Sequence, residues 1–280
     1  MAARSNRGVA GYQLESVLGR GRHAIVYLAL HPRRGRRVAL KVAHRKPQGA
    51  LERTDDLRAE FSALTALPHP HVIQAFDHGV VGATAYLAME CAAAGHAVRN
   101  GRTLGTARAM RLLGQGASAL AWLHQQGWVH RDVKPSNLLL RADGSLALGD
   151  FGSACRRDST VAAANNAAAG SPQYAAPEQS GGAPCDPAQD VYSLGACLYE
   201  MLCGRPLYPG QTAAELLGQH LLAPVPSLPP ALAAWQPLLA AMVAKDPRQR
   251  LPDGQAVLSQ LERIQNLLPR NPEHDARNPS

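Results

Sequence analysis

A chain of 280 residues with 46% apolar and 18% charged side chains carries ample core material and too few charges for a disordered chain. The balance of 29 basic to 21 acidic residues, net +8, permits a polyanionic partner. However, Arg33, Arg34, Arg36 and Arg37 gather around Gly35 without a neighbouring aromatic, which argues against a nucleic-acid stacking platform.

The first ninety residues read as strands with one helix. Tyr12 to Gly19 and Ile25 to Leu30 form short apolar-leaning runs joined through Gly19-Arg20-Gly21, and Arg37 to Val42 follows as a third strand. Leu57, Phe61, Leu64 and Leu67 recur at threes and fours, predicting a helix over Leu51 to Leu67 that Pro68 and Pro70 stop. Val72 to Phe76 and Thr84 to Met89 complete the strand set.

Beyond Cys91 the period becomes helical. Met110, Leu113, Ala117, Leu120 and Leu123 share one face of a helix ending near Gly127. Asp186-Pro187 opens another helix as N-cap and first residue; Val191, Leu194, Leu198 and Leu202 line one side and Gly204 closes it. Helical stretches are expected around 212–222, 231–244 and 254–268, then a polar, proline-bearing tail expected to be disordered. The whole predicts a small strand-rich lobe, a larger helical lobe and a cleft between them.

Cys91, Cys155, Cys185, Cys197 and Cys203 form no C-x-x-C pair and no zinc-like spacing, which fits unpaired thiols in a reducing compartment. No apolar leader follows Arg4 and Arg7, and the most apolar later run, Leu194 to Leu202, contains Glu200 and is too short for a bilayer. The expectation is a cytoplasmic protein without a membrane span.

The chemistry-bearing segment is His130-Arg131-Asp132-Val133-Lys134-Pro135-Ser136-Asn137. Phosphoryl transfer needs a carboxylate to accept the proton of an attacking hydroxyl, a neutral oxygen ligand for Mg²⁺ and a nearby cation; Asp132, Asn137 and Lys134 supply all three in one loop. Asp150-Phe151-Gly152 follows the apolar Leu146-Ala147-Leu148, setting a metal-binding carboxylate at a strand end. Upstream, Gly19 and Gly21 would let backbone N–H groups approach phosphate oxygens, beside Leu18. Lys41 in Val38-Ala39-Leu40-Lys41 would bind the α/β-phosphates, held by a helix carboxylate, Glu60 or Glu52.

Taken in order, these segments, with Ala176-Pro177-Glu178, resemble the eukaryotic-type (Hanks-type) serine/threonine protein kinases, bacterial members most, from about Tyr12 to Leu268. The resemblance implies an α+β bilobal fold: an antiparallel-sheet N-lobe with one main helix over 12–90 and a mainly helical C-lobe over 93–268. An N-terminal extension would cover 1–11 and the tail 269–280. It favours Glu60 as the partner of Lys41. It implies Met89 as gatekeeper, Glu90 and the Ala92 backbone as adenine partners, Val26 and Ala39 as the pocket roof and Leu139 as its floor. It also implies Asp190 as anchor of the backbone at His130 and Arg131, a buried Glu178–Arg250 ion pair, and Leu64, Phe76, His130 and Phe151 stacked as a regulatory spine.

Lys134 and Ser171, whose hydroxyl would bridge Asp132 and Lys134, match the Ser/Thr pattern. The implied activity is transfer from MgATP, with Mn²⁺ as an alternative ion, to protein substrates. A regulatory partner protein or cognate phosphatase is the further partner expected. Arg131 suggests control by autophosphorylation of Ser159 or Thr160. Ala24 replaces the third glycine of the loop and should alter ATP affinity only modestly. A pseudokinase or a small-molecule phosphotransferase is the competing reading; Lys41, Asp132 and Asp150 together argue against the first, and the segment from Gly170 to Glu178 against the second.

Overall fold

Local sequence rules set most elements, and tertiary pairing sets the rest. A computed structural model describes residues 8–21, 23–33, 35–43, 50–98, 101–157 and 171–267. Ser159, Thr160, Gly170, the side chain of Glu52 and the tail from 269 lie outside the described residues.

The N-terminal half is a six-stranded antiparallel sheet built from β1 (Gly8–Val9), β2 (Tyr12–Arg20), β3 (Ala24–Leu30), β4 (Arg37–Ala43), β5 (Ala75–Val81) and β6 (Thr84–Met89). The strands lie in the order β1-β2-β3-β4-β6-β5. Helix α1 (Ala50–Ala66) packs on β4, β5 and β6. Gly8–Val9 adds a strand that alternation alone did not reveal, paired with Tyr12 and Gln13.

The expected strand Val72–Phe76 is displaced. Ile73 donates its N–H to the Leu148 carbonyl at 2.9 Å and Leu148 donates to His71 at 2.8 Å, so this backbone is spent on the helical half. The strand proper runs Ala75–Val81, with a register irregularity between Ala75 and Asp77. That shift corrects the expected spine: Phe76 packs with the outer cluster of Tyr12, Leu40 and Tyr86, 4.0 Å below the Arg36 guanidinium. Ala75, not Phe76, packs against the main core that holds Leu64 and Phe151.

The C-terminal half contains α2 (Thr106–Gln125), α3 (Pro187–Cys203), α4 (Ala213–Leu222), α5 (Gln236–Met242) and α6 (Gly254–Leu267). Two short antiparallel pairings accompany them: β7 (Trp128–Val129) with β10 (Cys155–Arg156), and β8 (Leu138–Leu140) with β9 (Leu146–Leu148). Asp186 caps α3 by accepting the Ala188 N–H at 2.8 Å, Pro187 occupies the first turn, and Gly204 ends it at φ 69°. Every residue from Pro187 to Leu202 is buried, more than the single stripe expected, because α3 is enclosed by α2, α5 and α6. The stretch 231–244 is not one helix. Pro230 starts a 3₁₀ segment to Trp235, and Pro237 falls in the first turn of α5.

Close approach of α6 to α2 depends on Gly254, where an added Cβ would stand 2.4 Å from the Ala121 nitrogen and 2.5 Å from the Ala117 carbonyl oxygen. One apolar core runs from Leu87 and Met89 in the sheet through Leu138 and Phe151 to Leu194 and Leu239. The expectation of unpaired thiols is corrected at one pair: β10 and the start of α3 bring Cys155 and Cys185 into a disulfide, Cα–Cα 6.9 Å, while Cys91, Cys197 and Cys203 are free. Among the described residues no helix is long and apolar enough to cross a membrane.

Candidate active site

The segment after β7 carries the polar loop. Arg131 has φ 67°, a left-handed conformation that costs a non-glycine residue about 1–3 kcal/mol. Asp190, fully buried on α3, offsets this by accepting the His130 and Arg131 N–H groups, each at 2.7 Å. The His124 ring nitrogen Nε2 completes the carboxylate's shell at 3.0 Å. Burial alone would raise the Asp190 pKa; the bonds from His124 and His130 outweigh it and hold the carboxylate below its ordinary value.

Asp132 projects from this loop into a closed triangle. Its Oδ2 accepts from Lys134 Nζ at 2.6 Å and its Oδ1 from Ser171 Oγ at 3.1 Å, while Lys134 Nζ also reaches Ser171 Oγ at 2.9 Å. Asn137 Nδ2 donates to the Asp132 carbonyl at 2.8 Å, which turns Oδ1 of Asn137 away from that bond. Gly149 donates its N–H to the Asn137 carbonyl at 2.9 Å and so sets Asp150 beside Asn137.

Asp150 also has positive φ, 61°. Its Oδ1 lies 2.7 Å from Lys41 Nζ, and Lys41 reaches Glu60 at 2.7 and 2.9 Å. Glu60 comes from the inward face of α1 and is 2% exposed. Burial works to lower the Lys41 pKa, but the two carboxylates outweigh it and hold the ammonium above the usual lysine range. Burial likewise opposes ionisation of Asp150, and Lys41 overcomes it, keeping that carboxyl low. Phe151 packs edge-on against His130 with centroids 4.9 Å apart. Asp132 N donates to His130 Nδ1 at 3.3 Å, which leaves the proton on Nε2 for the Gly149 carbonyl at 3.1 Å.

Above these groups the sheet supplies an apolar wall. Ala39 pairs with Met89, and Val26 with Lys41, so the residues expected as pocket roof, gatekeeper and phosphate lysine are cross-strand neighbours. Leu139 lies opposite on β8, against the missing Cβ of Gly149. Between the halves, Glu90 donates its N–H to the Gln74 carbonyl at 2.8 Å. The Glu90 carboxylate is tied to Arg141, through Nε and through NH2 at 3.0 Å. Leu18 is half exposed towards the end of β2, and a Cβ on Gly19 would meet no atom of the described residues within 4 Å. Gly21 donates its N–H to the Ala24 carbonyl at 2.9 Å and closes the turn.

Among the described residues no cluster of three His, Cys, Asp or Glu side chains can hold a metal alone. Asp150 and Asn137 offer hard oxygens of the kind that would suit a divalent cation.

The segment after Ser171 is fastened from several sides. Glu178 pairs with Arg250 at 2.7 and 3.1 Å, and the Arg250 side chain is wholly buried. Sequence reasoning missed Gln179, whose amide reaches the Arg131 carbonyl at 3.1 Å while its oxygen accepts the Ala176 N–H at 2.8 Å. It also missed His124, Arg141 and His220. The His220 Nε2–H donates to the Gln173 carbonyl at 3.2 Å, and its Nδ1 accepts from Tyr192 at 2.8 Å. Each acts across a long sequence separation, so no local pattern announces it.

The family described as "Protein kinase domain" matches residues 12–260. Among curated proteins, the chain is 36% identical over 257 residues to the serine/threonine-protein kinase PknJ of Mycobacterium tuberculosis, covering 86% of this chain and 43% of that protein. It is 35% identical over 254 residues to PknA of the same species, covering 87% and 58%. It is 32% identical over 251 residues to PrkC of Bacillus subtilis, covering 85% and 38%. The chain therefore spans about two fifths to three fifths of the length of these relatives. With its antiparallel sheet, helical half and intervening polar site, the chain belongs to the protein kinase family, of the Hanks type and similar to bacterial serine/threonine kinases.

Proposed function

We propose that the chain transfers the γ-phosphoryl group of MgATP to serine or threonine hydroxyls of protein substrates. The observation that carries this reading is the triangle of Asp132, Lys134 and Ser171, with Asp150 and Lys41 across from it. Asp132 orients the incoming hydroxyl and accepts its proton as the new oxygen–phosphorus bond forms and the bond to the β-phosphate oxygen breaks. Lys134 offsets charge on the transferring group, and Lys41, held cationic, takes the α- and β-phosphate oxygens. Asn137 and Asp150 would hold the divalent ion, Mg²⁺ with Mn²⁺ as alternative, which would supply positive charge against the phosphates. Glu90 and Ala92 take the adenine edge between Val26, Ala39 and Leu139. Glu178, Asp190 and Arg250 keep the frame.

The working compartment is the cytoplasm, and a phosphatase or regulatory protein completes the circuit. The kinase unit covers 12–268. Control comes from autophosphorylation of Ser159 or Thr160, whose phosphate pairs with Arg131. In support, the Arg131 guanidinium makes no hydrogen bond to the described residues, and burial lowers its pKa, so an anion beside it is favoured. Mass spectrometry of the active enzyme tests that: both residues unmodified defeats it.

For the activity itself, γ-labelled ATP and a generic protein substrate suffice. Wild-type protein labels serine and threonine, and Asp150→Asn labels neither above background. Equal labelling by the variant overturns the reading.

A further inference from the structure

We propose that Cys155 and Cys185 form a reversible disulfide that holds the peptide-binding segment in its transfer-competent arrangement, so that oxidation sustains phosphoryl transfer and reduction lowers it. The proposal rests on the kinase reading for its effect on rate, and on the geometry alone for its effect on structure.

The bridge joins two elements that separately fix the catalytic loop. Cys155 lies on β10, opposite Val129 of β7, and β7 leads directly into His130. Cys185 directly precedes Asp186, the cap of α3, and α3 carries Asp190, which holds the His130 and Arg131 amides. The disulfide thus closes a ring running from β7 through β10 to α3 and back to the catalytic loop. The two cysteines are 30 residues apart in sequence, and the span they enclose contains Ser171, Gln173, Gln179 and Glu178. All four make the contacts that seat this segment on Asp132, Tyr208, Arg131 and Arg250. Cross-linking its ends removes conformations in which those contacts are open.

The chemistry is available. Cys155 is partly accessible, whereas Cys185 is 5% exposed, so exchange enters at Cys155. A low-molecular-weight disulfide serves as oxidant. The Cys155 thiolate attacks one of its sulfurs and expels the first small thiol. The Cys185 thiolate then attacks the Cys155 sulfur of the mixed disulfide and expels the second. The protein loses two electrons and two protons, and the oxidant leaves as two thiols. A dithiol reverses the sequence. In a reducing compartment, disulfides that form are chiefly transient and redox-sensing, which suits a bridge at this position.

The test uses the full chain as wild type, Cys155→Ser and Cys185→Ala, each treated with oxidised glutathione or with dithiothreitol. Peptide mapping without reduction should find the 155–185 cross-link in oxidised wild type alone. Hydrogen exchange at Tyr174 and Ala175, whose amides both bond the Ser171 carbonyl, should be about tenfold slower in that form. Transfer should fall about threefold or more on reduction and return on reoxidation, with both variants fixed at the reduced level. Three results overturn the proposal: glutathione left on Cys155 without a cross-link, a cross-link with unchanged exchange, or a redox response that persists in Cys155→Ser. If no form transfers phosphate, the kinase reading fails instead, and mapping with exchange still decides whether the bridge orders the segment.

Discussion

Asp190 accepts the Arg131 amide at 2.7 Å and thereby sustains a left-handed backbone at φ 67° in the residue immediately before Asp132. The carboxylate uses both oxygens, one for each amide, with His124 sharing the second. An amide side chain offers one acceptor oxygen. Asp190→Asn should therefore release one of the two backbone bonds, destabilising the fold by about 3 kcal/mol. It should also lower turnover more than ATP affinity. Denaturant titration and initial-rate kinetics check both parts.

Arg250 has no exposed side-chain surface, and Glu178 is its acidic partner. Truncating Glu178→Ala strands a buried cation, so stability should fall by about 3–5 kcal/mol. Adding Arg250→Met to that variant should recover part of the loss, because the uncompensated charge is then gone. Thermal melts of the single and double variants make the comparison.

His220 gives a pH dependence with a defined sign. Burial lowers its pKa from the ordinary 6.5 to about 4, so between those values the unfolded chain takes up a proton that the folded chain refuses. Stability contributed by neutral His220 is complete above about pH 6.5 and declines as the pH falls towards 4, by at most about 3 kcal/mol. His220→Gln should flatten the denaturation midpoint across that window while lowering it at pH 7.

Gly254 allows the α2–α6 contact. Alanine there favours helix by itself, yet its Cβ would stand 2.4 Å from a backbone nitrogen, which demands that the helices part. Gly254→Ala should cost about 1–3 kcal/mol. Urea midpoints measure it.

How far the sequence led depended on whether the deciding interaction was local. The bounds of α3 were readable because Asp186, Pro187 and Gly204 act within one turn of its ends. The outline of the site was readable because its loops are contiguous: the stretch from His130 to Asn137 folds back on itself through the bonds of Asn137 and Lys134 to Asp132. The start of β5 was not, since residues 71–73 are claimed by Leu148 from the other half. Phe76 turned outward for a related reason, a register irregularity that alternation does not encode. The Cys155–Cys185 bridge and the ties made by Gln179 and Arg141 join residues far apart in sequence, where composition and spacing carry no signal.

The central claim is that Asp132 serves the chemical step rather than nucleotide binding. The most direct measurement compares wild type with Asp132→Asn for MgATP affinity and for single-turnover phosphoryl transfer. Affinity should stay within about twofold and transfer should fall by about 10²–10⁴-fold. Transfer within a few-fold of wild type would contradict it.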